Sequence, residues 1–430
     1  MTDIATDPGA ASSGSAISLL YAARGLRGFG DGFAIIVLPA YMTALGYDAI
    51  AVGLVATASL LGTALLTLLV GWMAPRHDLR ALMLSGAGLM AATGLAFPNV
   101  EHFVLIALVA FVGTINPSAG DLGVLVPLEH AVLAHSATDE RRTHIFARYS
   151  LIGALCTAAG SLAASLPDFL VSAGSTRISA FRLMFYAYAA LGVLSAALYR
   201  HVPHAQAEEK PPQAPLGPSR ATVYKLAALF SIDAFAGGFV AQSLLVLWLF
   251  ERFDLSLSAA GLFFFWSSTL SAFSYPVAAW LAKRVGLVNT MVFTHIPSSV
   301  FLILAAFSPN LYVALGLLLL RSALSQMDVP TRTSYVMAVV TPAERPAAAS
   351  LTAVPRSLAS AISPAISGAL LMTAFSGLPL VVCGTLKIAY DIALLFSFRH
   401  IKPPEETEMK LESPGHDGVT VEQSKRTTER

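Results

Sequence analysis

The chain has few charged residues and almost no cysteine. Only 12% of its 430 residues are Asp, Glu, Lys or Arg, and its two cysteines, Cys156 and Cys383, lie in apolar runs. No disulfide framework is implied by two isolated cysteines in such runs. The formal net charge of +1 gives no reason to expect a nucleic-acid partner.

Motifs for catalysis and metal binding are also missing. The sequence contains no HExxH, no GxSxG and no cluster of cysteine and histidine. A lone histidine such as His295, ahead of Pro297, is more often packed than bound to a metal. We therefore expect neither an enzyme nor a bound metal or cofactor.

Apolar residues make up most of the chain. They account for 55% of it, and the mean hydropathy is +0.67, as in a protein that resides in a lipid bilayer. Because backbone groups in hydrocarbon must bond to one another, apolar stretches of about 19 residues predict transmembrane helices. The sequence predicts an all-α membrane protein with twelve spans, numbered 1 to 12 in order: 17–44, 49–73, 79–97, 102–134, 144–166, 179–199, 221–250, 256–281, 286–307, 311–340, 347–374 and 378–398.

An internal repeat relates the two halves of the chain. Gly53-Leu54, Trp72 and Arg76 recur as Gly261-Leu262, Trp280 and Arg284, all at an offset of 208 residues. Looser matches continue beyond this window with a drifting offset, which changes in loop length between two copies of one unit explain. Paired halves built from apolar helices indicate a transporter.

Basic residues in the connections predict the orientation and the domains. With a cytoplasmic N-terminus, sixteen Lys and Arg residues fall on the inner side against two clear outer ones, Arg177 and Arg252. Both termini are therefore expected in the cytoplasm, in a cell (inner) membrane. The predicted organisation is a disordered tail (1–16), a six-helix bundle (17–199), a Pro-rich linker (200–220), a second six-helix bundle (221–400) and a disordered tail (401–430).

Together these features resemble the major facilitator superfamily. The connection after span 2 is similar to the family's Gly-x-x-x-Asp-Arg-x-Gly-Arg motif at Gly71, Arg76 and Arg80, but Pro75 and Asp78 replace its Asp and second Gly. The resemblance implies two pseudo-symmetric six-helix bundles, a single working chain and a latch between the halves. Asp78 could supply the latch's missing carboxylate from a shifted position.

Polar residues embedded in the spans are costly in lipid and therefore indicate cavities or partners. In the family that the chain resembles, spans 1, 4, 7 and 10 line the central path. The embedded polar residues fall on that set: Arg24, Arg27 and Asp31 in span 1; Asn116 and Asp121 in span 4; Asp233 and Gln242 in span 7; and Arg321, Gln326 and Asp328 in span 10.

Asp31 is the residue predicted to couple transport to protons. It lies 14 residues into span 1, roughly 20 Å from the cytoplasmic end at 1.5 Å per residue. A carboxyl group removed from water there can exchange a proton between two access states. The alternative is a structural salt bridge to Arg27, one helical turn earlier. We predict that Arg27 is a gating residue.

Pro117 and Gly120 predict an interruption of span 4 beside Asn116 and Asp121. Pro117 removes a backbone donor, and broken helices at this depth often build solute or ion sites. Asn116 is therefore a candidate for solute binding and Asp121 for proton coupling. The alternative is a hinge that only bends the helix.

The second half supplies further candidates. Arg321 always carries charge, so it needs a carboxylate partner, such as Asp31 or Asp121, or a negatively charged solute. Asp233 and Gln242 are expected to contact the solute. Near the cytoplasm we expect a gating salt bridge between Asp328 and Arg332, and we expect Glu129 to join charges at its helix end. Lys387 and Asp391, four residues apart on span 12, are expected to pair with each other.

The sequence thus predicts a proton-coupled secondary transporter that exports a small organic solute by alternating access. Export is implied by the resemblance, since family members with acidic residues on span 1 often export. Two alternatives stay open. One is import or facilitated exchange of an anionic metabolite bound by Arg321, and the other is a membrane receptor that reuses the fold.

Overall fold

The protein is described by a computed structural model over residues 8–118, 123–136, 139–204 and 216–398, and the regular secondary structure in these ranges is helical. Two 3-10 turns, Phe97–Asn99 and Pro342–Glu344, interrupt the series. The α-helices are α1 Pro8–Ala44, α2 Ala49–Met73, α3 Leu79–Ala96, α4 Phe103–Val112, α5 Leu125–Ser136, α6 Asp139–Ala163, α7 Leu166–Ser172, α8 Arg177–Tyr199, α9 Arg220–Gly238, α10 Gln242–Phe253, α11 Leu257–Val285, α12 Leu287–Phe307, α13 Leu311–Ser325, α14 Asp328–Ala338, α15 Arg345–Leu371 and α16 Leu378–Phe398.

These helices form the twelve predicted spans. Nine helical stretches of the described chain are long and apolar enough to cross a membrane, with α9–α10 and α13–α14 each counted as one. The charged helix α1, the proline-containing helix α15 and the pair α4–α5 complete the set. The predicted all-α fold is confirmed, although α1 begins at Pro8 rather than near residue 17.

Spans 4, 7 and 10 are each built from two helices. In span 4 the helix stops at Val112, and the Asn116 carboxamide accepts a hydrogen bond from the Ser118 amide at 2.9 Å. In span 7 the Ser367 hydroxyl donates to the freed Phe239 carbonyl at 2.7 Å. The interruption predicted in span 4 is confirmed, whereas the sequence analysis did not predict the breaks in spans 7 and 10.

The internal repeat is visible in the way that helices begin. Asp48 caps α2 by accepting from the Ala51 amide at 2.9 Å, and Ser256 caps α11 by accepting from the Ala259 amide at 3.2 Å. Both bonds satisfy an amide that has no partner inside its helix. The two caps are 208 residues apart, so the repeat preserves the start of the equivalent helices.

The first eight helices (the N-half) meet the last eight (the C-half) most extensively through two helix pairs, α2 with α15 and α6 with α11. We call the side where α1 begins and α16 ends the terminal side, and the opposite side the far side. On the far side, a Cβ at Gly53 would collide with the Pro364 carbonyl, and one at Gly261 would lie 2.5 Å from the Ser161 carbonyl. The halves are therefore in backbone contact on the far side at two positions related by the repeat.

On the terminal side the same helix pairs separate. A cavity of about 180 Å³ opens between Thr67 of α2 and Val354 of α15. Another of about 100 Å³ opens between Ser150 of α6 and Tyr275 of α11. The structure is thus closed on the far side and splayed toward the terminal side.

Candidate functional site

A third cavity, the largest of the three, lies where these two openings meet. It measures about 430 Å³ and is lined mostly by the C-half, with Leu60 and Ser118 contributed by the N-half. It shares Gln242 and Tyr275 with the opening between α6 and α11, and Leu60 with the opening between α2 and α15. The three cavities therefore form one region between the halves.

The charges that line the largest cavity are mostly positive. Asp233 is its one acidic lining residue among those described, against four basic ones, Arg321, Arg332, Arg356 and Lys387. Positive charges in a site of low dielectric attract anions more strongly than they do in water. The described lining carries a net positive formal charge.

In the N-half, Glu129 is the centre of a buried polar cluster. Its side chain is 0% exposed; it forms an ion pair with Arg27, and the Tyr149 hydroxyl donates to it. The Tyr199 hydroxyl donates to its other oxygen at 2.6 Å. Four helices, α1, α5, α6 and α8, are joined by this one carboxylate.

Asp31 lies in a small separate cavity beside that cluster. The Tyr188 hydroxyl donates to its carboxylate at 3.3 Å and contacts the Thr114 hydroxyl at 3.1 Å. Arg24 and Arg27 line the same cavity. The ion pair of Arg27 is made with Glu129, so Asp31 lines the cavity with the hydrogen bond from Tyr188 and without that ion pair.

In the C-half, Asp233 is the centre of a second buried cluster. It accepts hydrogen bonds from Lys387 at 2.5 Å and from Arg332 at 3.3 Å. Arg332 also pairs with Asp328 at 2.8 Å, so the salt bridge expected from their spacing is present, deep in the protein. Asp233 therefore holds α9, α14 and α16 together at the wall of the cavity.

Lys387 and Asp391 do not pair with each other, contrary to the expectation from their spacing. Lys387 reaches Asp233 and the His295 ring instead, and Asp391 contacts the His295 Nδ1 atom at 3.1 Å. The expected place of Glu129 was also wrong, because it is buried against Arg27 rather than joined to charges at its helix end. In both cases packing between distant helices overrides the local spacing.

Comparison with known proteins decides the family. A family model described as Major Facilitator Superfamily matches residues 20–250 and 226–421, which together cover most of the chain. The chain belongs to the major facilitator superfamily. An uncharacterized membrane protein of Saccharomyces cerevisiae is 26% identical over 420 residues, covering 89% of this chain and 94% of that protein.

Solved structures of the superfamily share the fold. The nucleoside transporter NupG superposes with a TM-score of 0.68 at 15% identity, covering 89% of this chain and 98% of its own. The inward-open xylose transporter XylE from E. coli gives a TM-score of 0.70 at 14% identity, covering 92% of this chain and 99% of its own. At these identities the likeness shows the fold alone.

The structure brings together most of the predicted solute-binding residues of this superfamily member. Gln242, Arg321 and Asp233 line the largest cavity, and Asn116 lines the opening between α2 and α15. Arg321 forms no ion pair with any residue in the described ranges. Asp121 lies outside those ranges.

The side chains of Arg76 and Asp78 in the superfamily loop motif make the following contacts with residues that precede the C-half. Arg76 donates to the Trp72 carbonyl at 2.8 Å and stacks on the Trp72 ring, as Arg284 stacks on Trp280 in the second copy. Asp78 caps α3 through the Arg80 amide at 3.2 Å and pairs with His204. In this splayed state the Gly71 backbone has open space around it, and the latch stays a prediction.

Sequence reasoning missed three residues of the site. Arg356 on α15 lines the cavity, although spans 1, 4, 7 and 10 were the expected lining. Lys387 and His295, on spans 12 and 9, belong to the cluster around Asp233. Each is a charged or titratable residue inside an apolar span, which is the one signal that could have pointed to them.

Proposed function

We propose that the protein is a secondary transporter that moves a small organic solute across the cytoplasmic membrane by alternating access, driven by protons. The observation that carries this proposal is the cavity between the halves, closed on one side by glycine contacts and splayed on the other. Two packed halves joined in this way can rock about a central site. We further propose that the chain works as a monomer with both termini, and hence the terminal side, in the cytoplasm.

Asp31 is the proposed proton-coupling residue of the N-half. Its carboxylate faces a cavity, and it accepts one hydrogen bond from Tyr188 rather than sharing the ion pair of Arg27. A carboxyl group that is not locked in a salt bridge can gain and lose a proton as access alternates. Asp121 keeps the same proposed role from the sequence alone.

Asp31→Asn tests this coupling. Inverted vesicles energised with a proton gradient are screened with a broad panel of organic compounds, and proton release is followed for the wild type and the variant. We expect compound-triggered proton release in the wild type and its loss in Asp31→Asn, at equal yield of folded protein. Unchanged release in the variant would remove Asp31 from the coupling step.

Export is the proposed direction, and it rests on the resemblance to exporters with an acidic residue on span 1. A compound exported by proton antiport should leave energised cells and re-enter when an uncoupler collapses the gradient. A receptor of the same fold would show no solute flux in any variant.

Import or facilitated exchange of an anionic metabolite is a second candidate. The excess of basic over acidic lining residues favours it, and among the described residues Arg321 and Arg356 are the lining cations without an ion pair. Uptake of labelled mono- and dicarboxylates into proteoliposomes is the assay. If the solute is an anion, Arg321→Gln should raise KM at least about tenfold, the loss of one charge-assisted hydrogen bond.

Two matched variants complete the assay for Arg321. Arg177→Gln, which removes an exposed far-side arginine stacked on Phe181, should leave KM unchanged. Asp121→Asn shows whether Asp121 is the partner of Arg321. If carboxylate uptake is equal in the wild type and Arg321→Gln, the anion-binding role of Arg321 is wrong.

A further inference from the structure

His295 belongs to the buried cluster around Asp233 in the C-half. It is 2% exposed and lies on α12, behind the residues that line the cavity. Its two ring nitrogens face opposite charges. Nδ1 is 3.1 Å from an Asp391 oxygen, and Nε2 is 3.2 Å from the Lys387 ammonium.

These two contacts assign the proton on the ring. An ammonium group has only donors, so its contact with Nε2 requires a free lone pair on that atom. Nδ1 then carries the hydrogen and donates it to Asp391. His295 is therefore neutral in this arrangement, and the tautomer follows from its partners.

A proton added to Nε2 changes the partners of Asp233. The imidazolium would stand 3.2 Å from a second cation, and Lys387 must withdraw. The Nε2 atom is 3.9 Å from the Asp233 oxygen that Lys387 now occupies at 2.5 Å. Protonated His295 can thus replace Lys387 at Asp233 with a small movement.

The groups around His295 come from five helices. The charged and titratable ones that face it or lie next to its direct partners are Asp233 on α9, Arg321 on α13, Asp328 and Arg332 on α14, Arg356 on α15, and Lys387, Tyr390 and Asp391 on α16. Asp328 and Arg332 are already paired with each other, and Arg356 and Arg321 are directed to the cavity. Lys387 and Asp233 are the groups nearest to Nε2, so they are the ones that exchange partners when His295 is charged.

We propose that His295 is a proton-binding site that controls whether Lys387 is held by Asp233 or released into the cavity. This inference rests on the proposed proton-coupled transport and adds a second coupling site to it. Lys387 lines the cavity, so its release raises the positive charge that a solute meets there. An anionic solute then binds more tightly with the proton and moves with it, whereas a cationic solute is repelled and moves against it.

Proton uptake by the purified protein tests the site without any solute. Detergent-solubilised protein is titrated from pH 8 to pH 5, and bound protons are counted for the wild type, His295→Gln and Lys387→Met. His295→Gln should take up one proton fewer per chain. Lys387→Met should begin its uptake at a higher pH than the wild type, because the competing cation is gone.

The matched control is Lys283→Met, which removes an exposed lysine and should leave the titration unchanged. Equal titrations of the wild type and Lys387→Met would overturn the proposal, even if His295→Gln fails to fold. The transport assay separates this failure from that of the proposed function. If the wild type moves no solute, proton-coupled transport is wrong, while the proton count still decides the role of His295.

Discussion

Glu129→Gln is the substitution whose effect on stability the structure predicts most sharply. The carboxylate of Glu129 is fully buried and is the anion for Arg27, whose side chain is 7% exposed. A glutamine at this position keeps one acceptor oxygen for one of the two tyrosine hydroxyls, and its amide nitrogen can donate to the hydroxyl oxygen of the other. What is lost is the negative charge, and Arg27 remains as a buried cation without its counter-ion.

The expected cost follows from that unpaired charge. Removing one partner of a buried ion pair costs about 3–5 kcal/mol, because the other charge stays desolvated. Unfolding entropies of about 2.1 cal/mol/K per residue convert this to a loss of roughly 3–5 °C in Tm for a chain of 430 residues. The exposed pair of Glu101 and Arg182 is the matched control, and Glu101→Gln there should cost only about 0–1 kcal/mol.

The assay is thermal unfolding of the purified protein in one detergent. Unfolding is measured as the loss of the monodisperse peak in size-exclusion chromatography. The double variant Arg27→Met with Glu129→Gln removes both charges and should recover much of the loss. Equal melting of Glu129→Gln and Glu101→Gln would refute the reasoning. A double variant less stable than Glu129→Gln would refute it as well, since the unpaired cation would not be the cause.

Two further predictions concern the contacts between the halves and a loop on the terminal side. Gly53→Val should open the far side, because the valine side chain collides with the Pro364 carbonyl. Distances between spin labels on α2 and α15 should lengthen there. They should stay unchanged in the control Gly316→Ala, where a Cβ meets open space. Glu344 accepts hydrogen bonds from Ser219, Thr341 and the Gly217 amide, which lower its pKa from 4.5 to about 2. Its folded pKa is below the unfolded value, so its contribution to stability is present above about pH 4.5 and is lost as the pH falls toward 2. Amide hydrogen exchange around residue 217 should therefore be faster in Glu344→Gln than in the wild type. In the wild type, the exchange rate corrected for the intrinsic rate should change little between pH 5 and pH 8. A rise in the corrected wild-type rate over that range would contradict the role of the Glu344 hydrogen bonds.

The fold could be predicted from the sequence because hydropathy and the repeat act along the chain. Twelve apolar stretches and an offset of 208 residues are local or periodic signals, and the structure has the corresponding helices. The repeated Gly53 and Gly261 were recognised as equivalent. Their role at the contact between the halves was not predicted, since it depends on which distant backbone approaches each glycine.

The site was predictable only in part. Embedded polar and charged side chains identified Asp233, Gln242 and Arg321, which share one cavity. The partners of those charges could not be predicted, because helices that are distant in sequence supply them. Lys387 selects Asp233, 154 residues away, over Asp391 on its own helix. Spacing along a helix shows which side chains can meet, but tertiary packing decides which do.

The most direct test of the account is proton flux in energised inverted vesicles, screened against a broad panel of organic compounds and anions. The account predicts that at least one compound triggers proton movement in the wild type. It also predicts that Asp31→Asn abolishes that movement while the protein remains folded. The account would be contradicted if a compound crosses the membrane at the same rate with and without a proton gradient, in the wild type and the variant alike.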